Sequence, residues 1–154
     1  MAKMKDVLYL VLHCSSTRAS QKVTVEDIDR WHRAKGWNQC GYHWVVLQDG
    51  TIQAGRPENM AGAHVKYYNQ HAIGVCYIGG VDEHGNYTDT RTEAQKTALW
   101  HLLRDLKVSY PQARIVGHRD FPNVHKLCPC LDAQKEYSQL NGNQKLRKAD
   151  FLSV

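Results

Sequence analysis

The chain has 154 residues, a formal charge of +5 and a pI of about 9.0, and 42% of its residues are apolar. That length supplies one domain with its own core, and that apolar fraction excludes a disordered chain. The surplus of base favours anionic partners such as nucleic acid, an anionic membrane or an acidic cell-wall polymer, but lysine and arginine are scattered among acids with no run of five, which leaves a plain solvated surface as an equal reading and gives nucleic acid no specific support.

Lys3 and Lys5 followed by Val7-Leu8-Tyr9-Leu10-Val11-Leu12 mimic a short signal peptide. The apolar run is short for that purpose, and no small-x-small cleavage site follows. His13, before Cys14, is too large for a lipoprotein cleavage site. No stretch approaches the roughly 18 apolar residues of a membrane span. The sequence therefore reads as cytoplasmic synthesis without a signal peptide, so that a substrate outside the cell would be reached only after lysis or by another export route.

Residues 6–13 read as a buried strand, and Ser15 to Lys22 as a polar loop. Thr24 opens a helix with Asp27 as its capping-box partner. Val25, Ile28 and Trp31 share one face, and Gly36 marks the stop. His43–Gln48 and Thr51–Ala54 flank Asp49-Gly50, a strong hairpin signal. Ile73–Ile78 is a further strand ended by Gly79-Gly80, and 82–91 is a polar loop. Thr92 and Gln95 cap a second helix with an apolar stripe of Ala98, Leu99, Leu102, Leu103 and Leu106. Pro111 prevents its continuation. Arg114–Gly117 is a short strand leading into His118. Asp132 caps a last helix through Tyr137, and 141–154 is a polar tail. The order β-α-β-β-β-α-β-α predicts an α/β single domain, a mixed central sheet flanked by helices.

Chemistry-bearing residues concentrate in Gly117–Asp132, which holds His118, Asp120, His125, Lys126, Cys128 and Cys130. Imidazole and thiolate are the usual zinc ligands, and a hydrolytic zinc keeps three protein ligands and one open position. His13 ends an apolar strand, where α/β proteins place their chemistry. His13, His118 and Cys128 would supply the set if the strands before His13 and His118 are neighbours. On spacing alone, His125 with Cys128, or Cys128 with Cys130, would serve as well. Cys14, Cys40 and Cys76 lie far apart beside apolar residues and read as core. Cys130 reads as packing, and His32, His43, His71, His84, His101 and His125 as structural or exposed.

The segments His13-Cys14-Ser15, Gly41-Tyr42-His43, Ala54-Gly55-Arg56, His64 with Asn69, Ile73-Gly74-Val75, Gly117-His118-Arg119-Asp120 and Lys126-Leu127-Cys128-Pro129 occur in an order that resembles the zinc-dependent N-acetylmuramoyl-L-alanine amidases. That family includes short phage lysozyme-type amidases and is related to peptidoglycan recognition proteins. The resemblance runs from about residue 6 to residue 137. It implies one Zn2+ per chain at His13, His118 and Cys128, with Tyr42 and Lys126 catalytic and His64 and Asn69 near the substrate. It also implies a mixed sheet flanked by helices, with the zinc amidase domain at 1–140 and the polar C-terminal tail at 141–154. The implied reaction is hydrolysis of the amide between N-acetylmuramic acid and L-alanine by a zinc-activated water, with peptidoglycan or muropeptides as partner. The alternative is a muropeptide-recognition module that does not cleave. Relatives of that kind replace the thiolate ligand, whereas Cys128 is present here, and so are Lys126 and Tyr42. The short chain resembles the phage lysins most, although a wall-recycling enzyme acting on cytoplasmic muropeptides would share these motifs. Some relatives also bind RNA polymerase, a property that no motif carries.

Overall fold

A computed structural model describes residues 1–142 and 144–153. Its strands are β1 (Tyr9–Cys14), β2 (Thr17–Arg18), β3 (Trp44–Val46), β4 (Ile52–Ala54), β5 (Ala72–Tyr77), β6 (Gly80–Val81) and β7 (Arg114–Gly117). Its α-helices are α1 (Val25–Ala34), α2 (Glu93–Ser109), α3 (Ala133–Glu136) and α4 (Ser138–Asn141). The main sheet has the order β4-β3-β5-β1-β7. β1 pairs in parallel with β5 and β7, β3 pairs in parallel with β5, and only the β3–β4 hairpin is antiparallel. The sheet is therefore mixed, as expected. β2 and β6 form a second, two-stranded sheet inside the segments read as polar loop and strand end.

All residues of β1 and β5 are buried, which is why both read as continuous apolar runs. Side chains alternate across a strand. Leu10, Leu12 and Cys14 join Ile73, Val75 and Tyr77 under Leu99, Leu103 and Leu106 of α2. Tyr9 and Val11 take the opposite face, with Tyr68, Val116, Phe121 and Phe151. His13 follows the parity of Tyr9 and Val11, so it emerges on the face that α2 does not cover. That face is filled at the amino end of β1 by aromatic rings and left for chemistry at the carboxyl end.

The helix signals correspond to real caps. The Thr24 N–H donates to the Asp27 carboxylate at 2.9 Å. The Gln95 N–H donates to the Thr92 hydroxyl at 3.0 Å, and Gln95 Nε2 donates on to the carbonyls of Val46 and Ile78. That side chain fastens the start of α2 to the ends of β3 and β5.

Two expectations change. Trp31 does not face the core with Val25 and Ile28: α1 buries Ile28 and His32, and Trp31 stands at its rim, 37% exposed. The polar tail, whose composition reads as loose, is docked at Asn141, Phe151 and Leu152. Asn141 brackets the edge of β7, accepting from the Ile115 N–H and donating to the Ile115 carbonyl, both at 2.8 Å. Phe151 is buried on Tyr9 and Phe121, and the Leu152 N–H donates to the Tyr9 hydroxyl at 2.8 Å. A polar composition hid one apolar anchor and one amide clamp.

Candidate metal centre and substrate groove

Parallel pairing puts Leu12 opposite Gly117, so the next residues, His13 and His118, leave neighbouring strands side by side. Their ring centroids are 4.7 Å apart. Cys128 arrives from the loop after β7. Arg119 N–H donates to its carbonyl at 2.9 Å, and the Tyr77 hydroxyl donates to the Pro129 carbonyl at 2.7 Å. Gly117 matters to this approach, because a Cβ there would lie 2.8 Å from the Pro129 ring. Asp120 braces the turn by accepting from the Gly117 N–H at 2.8 Å.

One donor atom from each of His13, His118 and Cys128 lies within 4.8 Å of the others, and the His13 Nδ1 to Cys128 Sγ distance is 3.9 Å. Ligands at about 2.0–2.3 Å from one zinc sit at such separations. The donor chemistry also fits. Burial holds both imidazoles below their usual range, His118 at about 4 with Lys126 as a further cause, so each offers a nitrogen lone pair at neutral pH. The Cys14 N–H points at Cys128 Sγ from 3.3 Å, a donor suited to a thiolate.

His64 sets the orientation of His13. Its Nδ1 lies 2.9 Å from His13 Nε2, and its Nε2 lies 3.3 Å from the Ala72 carbonyl. The carbonyl only accepts, so His64 Nε2 carries hydrogen and His64 Nδ1 accepts from His13 Nε2. His13 is left with a free Nδ1, the nitrogen that faces Cys128. Space for the His64 ring comes from Gly74, where a Cβ would lie 2.9 Å from it. Asn69 Oδ1 accepts from the N–H groups of both His64 and Val65 at 2.9 Å and so holds this loop.

A groove of about 310 Å³ opens over the cluster, bordered by Tyr42, His64 and Lys126 and by Trp31 and Trp37 at its outer end. Asn69 lines an adjoining hollow of about 400 Å³ together with His64, His118 and Lys126. The Tyr42 ring lies 5.0 Å from His13, and burial pushes its phenol well up, so it stays protonated as a donor. Lys126 is exposed and borders the same space. A larger cavity of about 480 Å³ between Ser20, Val23 and Leu47 touches none of these groups.

The remaining residues sort themselves by contact. Cys40 and Cys76 are core. Cys14 is buried too but adjoins the cluster, a role its spacing did not reveal. Cys130 Sγ sits 3.9 Å from Cys14 Sγ and 3.5 Å from the Gly80 carbonyl. His32 Nδ1 accepts from the Gly41 N–H, and His43 bridges the Gly74 N–H and the Met60 carbonyl. Sequence reasoning missed Trp31, Trp37 and Tyr67 as groove residues. An aromatic in a helix stripe or a loop carries no signal of the direction it faces.

Residues 3–130 match the family described as N-acetylmuramoyl-L-alanine amidase. The chain is 40% identical over 133 residues to the endolysin of Enterobacteria phage K11, covering 86% of this chain and 87% of that one. It is 40% identical over 126 residues to the endolysin of Escherichia phage T7, with 82% of each covered. Among solved structures it resembles the N-acetylmuramoyl-L-alanine amidase LysC from Clostridium intestinale, with a TM-score of 0.75 and 30% identity over 88% of this chain and 86% of that one.

Proposed function

The chain belongs to the N-acetylmuramoyl-L-alanine amidase family and hydrolyses the amide between N-acetylmuramic acid and L-alanine in peptidoglycan; we propose that it does so through one zinc ion held by His13, His118 and Cys128. The observation that carries this reading is the convergence of two neutral imidazoles and one thiol beside an open groove. Zinc in such a site activates a water as nucleophile and polarises a carbonyl.

The protein groups do the rest. Tyr42, a protonated phenol over His13, donates a hydrogen bond to the attacking water or to the carbonyl oxygen. Lys126 lies across the same space and places a positive charge where the oxyanion develops. A protonated amine has no lone pair for a metal, so Lys126 acts on the substrate. His64 fixes the His13 tautomer, and Asn69 fixes His64. Both residues border the substrate space, and both ring nitrogens of His64 and the Oδ1 of Asn69 are engaged in holding the site. The phage endolysin relatives support action on the cell wall. No described helix is long and apolar enough to cross a membrane.

Elemental analysis of purified protein tests the ligand set. Wild type should hold one zinc per chain, Cys128→Ser should lose most of it, and Cys130→Ser should keep it. Full zinc in Cys128→Ser would overturn the assignment.

A further inference from the structure

A second groove leaves the cluster in another direction. It shares His118 and Lys126 with the site and continues for about 270 Å³ between the turn at residues 65–68 and the loop at residues 121–125. Tyr67 stands on the first wall. Its φ of 74° is in the left-handed region, which a bulky side chain adopts only under strain. The Tyr68 N–H donates to the Val65 carbonyl at 3.1 Å, so Tyr67 is the third residue of a tight turn. Glycine or asparagine would sit there without strain. Tyr68 next door is buried and donates its hydroxyl to the Leu152 carbonyl. The Tyr67 ring does nothing comparable. It is 70% exposed, with Lys66 Nζ 5.1 Å from its centroid. A strained backbone that presents an exposed ring to a groove continuous with a reaction centre is explained by a ligand better than by folding.

We propose that Tyr67 is the platform of a glycan subsite, stacking on the apolar face of an N-acetylhexosamine next to the cleaved muramoyl amide. The inference rests on the amidase reading and adds a direction to it. The scissile amide joins a glycan to a peptide, so the two leave the centre along different paths, and the space around His118 and Lys126 runs out both past Tyr42 and Trp31 and past Tyr67. A pyranose offers a flat face of C–H groups that matches an aromatic ring. Pro122 and Val124 line the same groove and provide apolar surface for an N-acetyl methyl. Lys66, Asn123 and Lys126 provide donors for hydroxyl and carbonyl oxygens, the mixture of apolar wall and few polar groups usual for a small-molecule site. A stem peptide, rich in carboxylates, would match the lysines but leave the exposed ring without a counterpart.

The test uses full-length, zinc-loaded protein and peptide-free glycan fragments of two to four alternating N-acetylglucosamine and N-acetylmuramic acid units. Wild type should bind the fragments, with affinity rising with length. Tyr67→Gly should bind about tenfold more weakly, and Tyr67→Phe and Tyr67→Trp should bind like wild type. The melting temperature of Tyr67→Gly should not fall, because glycine suits the turn, so weak binding would not reflect unfolding. With muramoyl-peptide substrates, KM should rise in Tyr67→Gly only for those extended by further sugars, with kcat nearly unchanged. Equal glycan affinity in wild type and Tyr67→Gly would overturn the proposal. So would a KM effect that tracks peptide length and not glycan length. Glycan binding without any amide cleavage would leave the subsite standing and sink the amidase reading instead.

Discussion

His64 shows how a single residue decides what the proposed metal site can be. Its bonds to His13 Nε2 and the Ala72 carbonyl leave His13 with one free nitrogen, pointed at Cys128. His64→Ala should therefore weaken zinc affinity roughly 10- to 100-fold, the range for lost partners of metal ligands. Chelator competition measures this, and unchanged affinity would mean that something else orients His13. Lys126→Ala should behave oppositely. Zinc and fold should persist while turnover falls by roughly 100-fold or more, the scale of a removed oxyanion donor. Tyr42→Phe should act in the same sense, less severely, because its ring still packs on His13. Wild-type turnover in Lys126→Ala would remove lysine from the mechanism. That His13, His118 and Cys128 meet, with Tyr42 and Lys126 lining the same space, was legible in sequence because chemistry-bearing residues stood at strand ends and in ordered motifs. The part His64 plays toward His13 was not, since it depends on a 2.9 Å contact between residues 51 positions apart.

Among the elements, the loop carrying Tyr42 depends on a buried cation. Arg56 is 6% exposed, and its guanidinium donates to the carbonyls of Cys40 and Ala61 at 2.9 Å and of Gln39 at 3.4 Å. Removing it would strand three carbonyls in a poorly hydrated place. Arg56→Ala should lower unfolding free energy by about 3 kcal/mol, within the range for charged hydrogen bonds lost on burial. Urea unfolding checks this, and a change below about 0.5 kcal/mol, typical of surface substitutions, would show that the carbonyls find other partners. At this scale the sequence was informative wherever a physical device had a local signature. Both capping boxes, the Asp49-Gly50 hairpin and the apolar stripe of α2 appear where they were expected. The β2–β6 pair escaped because two-residue strands have no periodicity to detect. The outward turn of Trp31 escaped because a helix stripe does not tell a core from a groove.

The whole molecule responds to pH through histidines buried in the neutral form. His32 is the clearest one away from the proposed ligands. Burial first, then Lys35 and Arg56, hold it at about 4, against 6.5 for the ordinary group, and its Nδ1 must stay unprotonated to accept from the Gly41 N–H. The unfolded chain therefore takes up this proton first as pH falls. Stability from His32 is complete above about pH 6.5 and is lost progressively as pH falls toward about 4. The zinc-free protein should melt at lower temperature across that window, and His32→Gln should flatten the dependence. A pH-independent melting curve from 6.5 to 4 would contradict the buried neutral state. At this scale a mixed single-domain sheet was legible from the alternation of strand and helix patterns. The docked tail was not, because Asn141 and Phe151 act through partners fixed only by the fold. This fold brings His13, His118 and Cys128 together, and the reaction proposed for them cuts one particular amide. Mass spectrometry of sacculi digested by the zinc-loaded protein tests it most directly. Intact stem peptides with a free L-alanine amino terminus, released from unbroken glycan strands, are expected. New reducing sugar ends with the peptides still attached would contradict it.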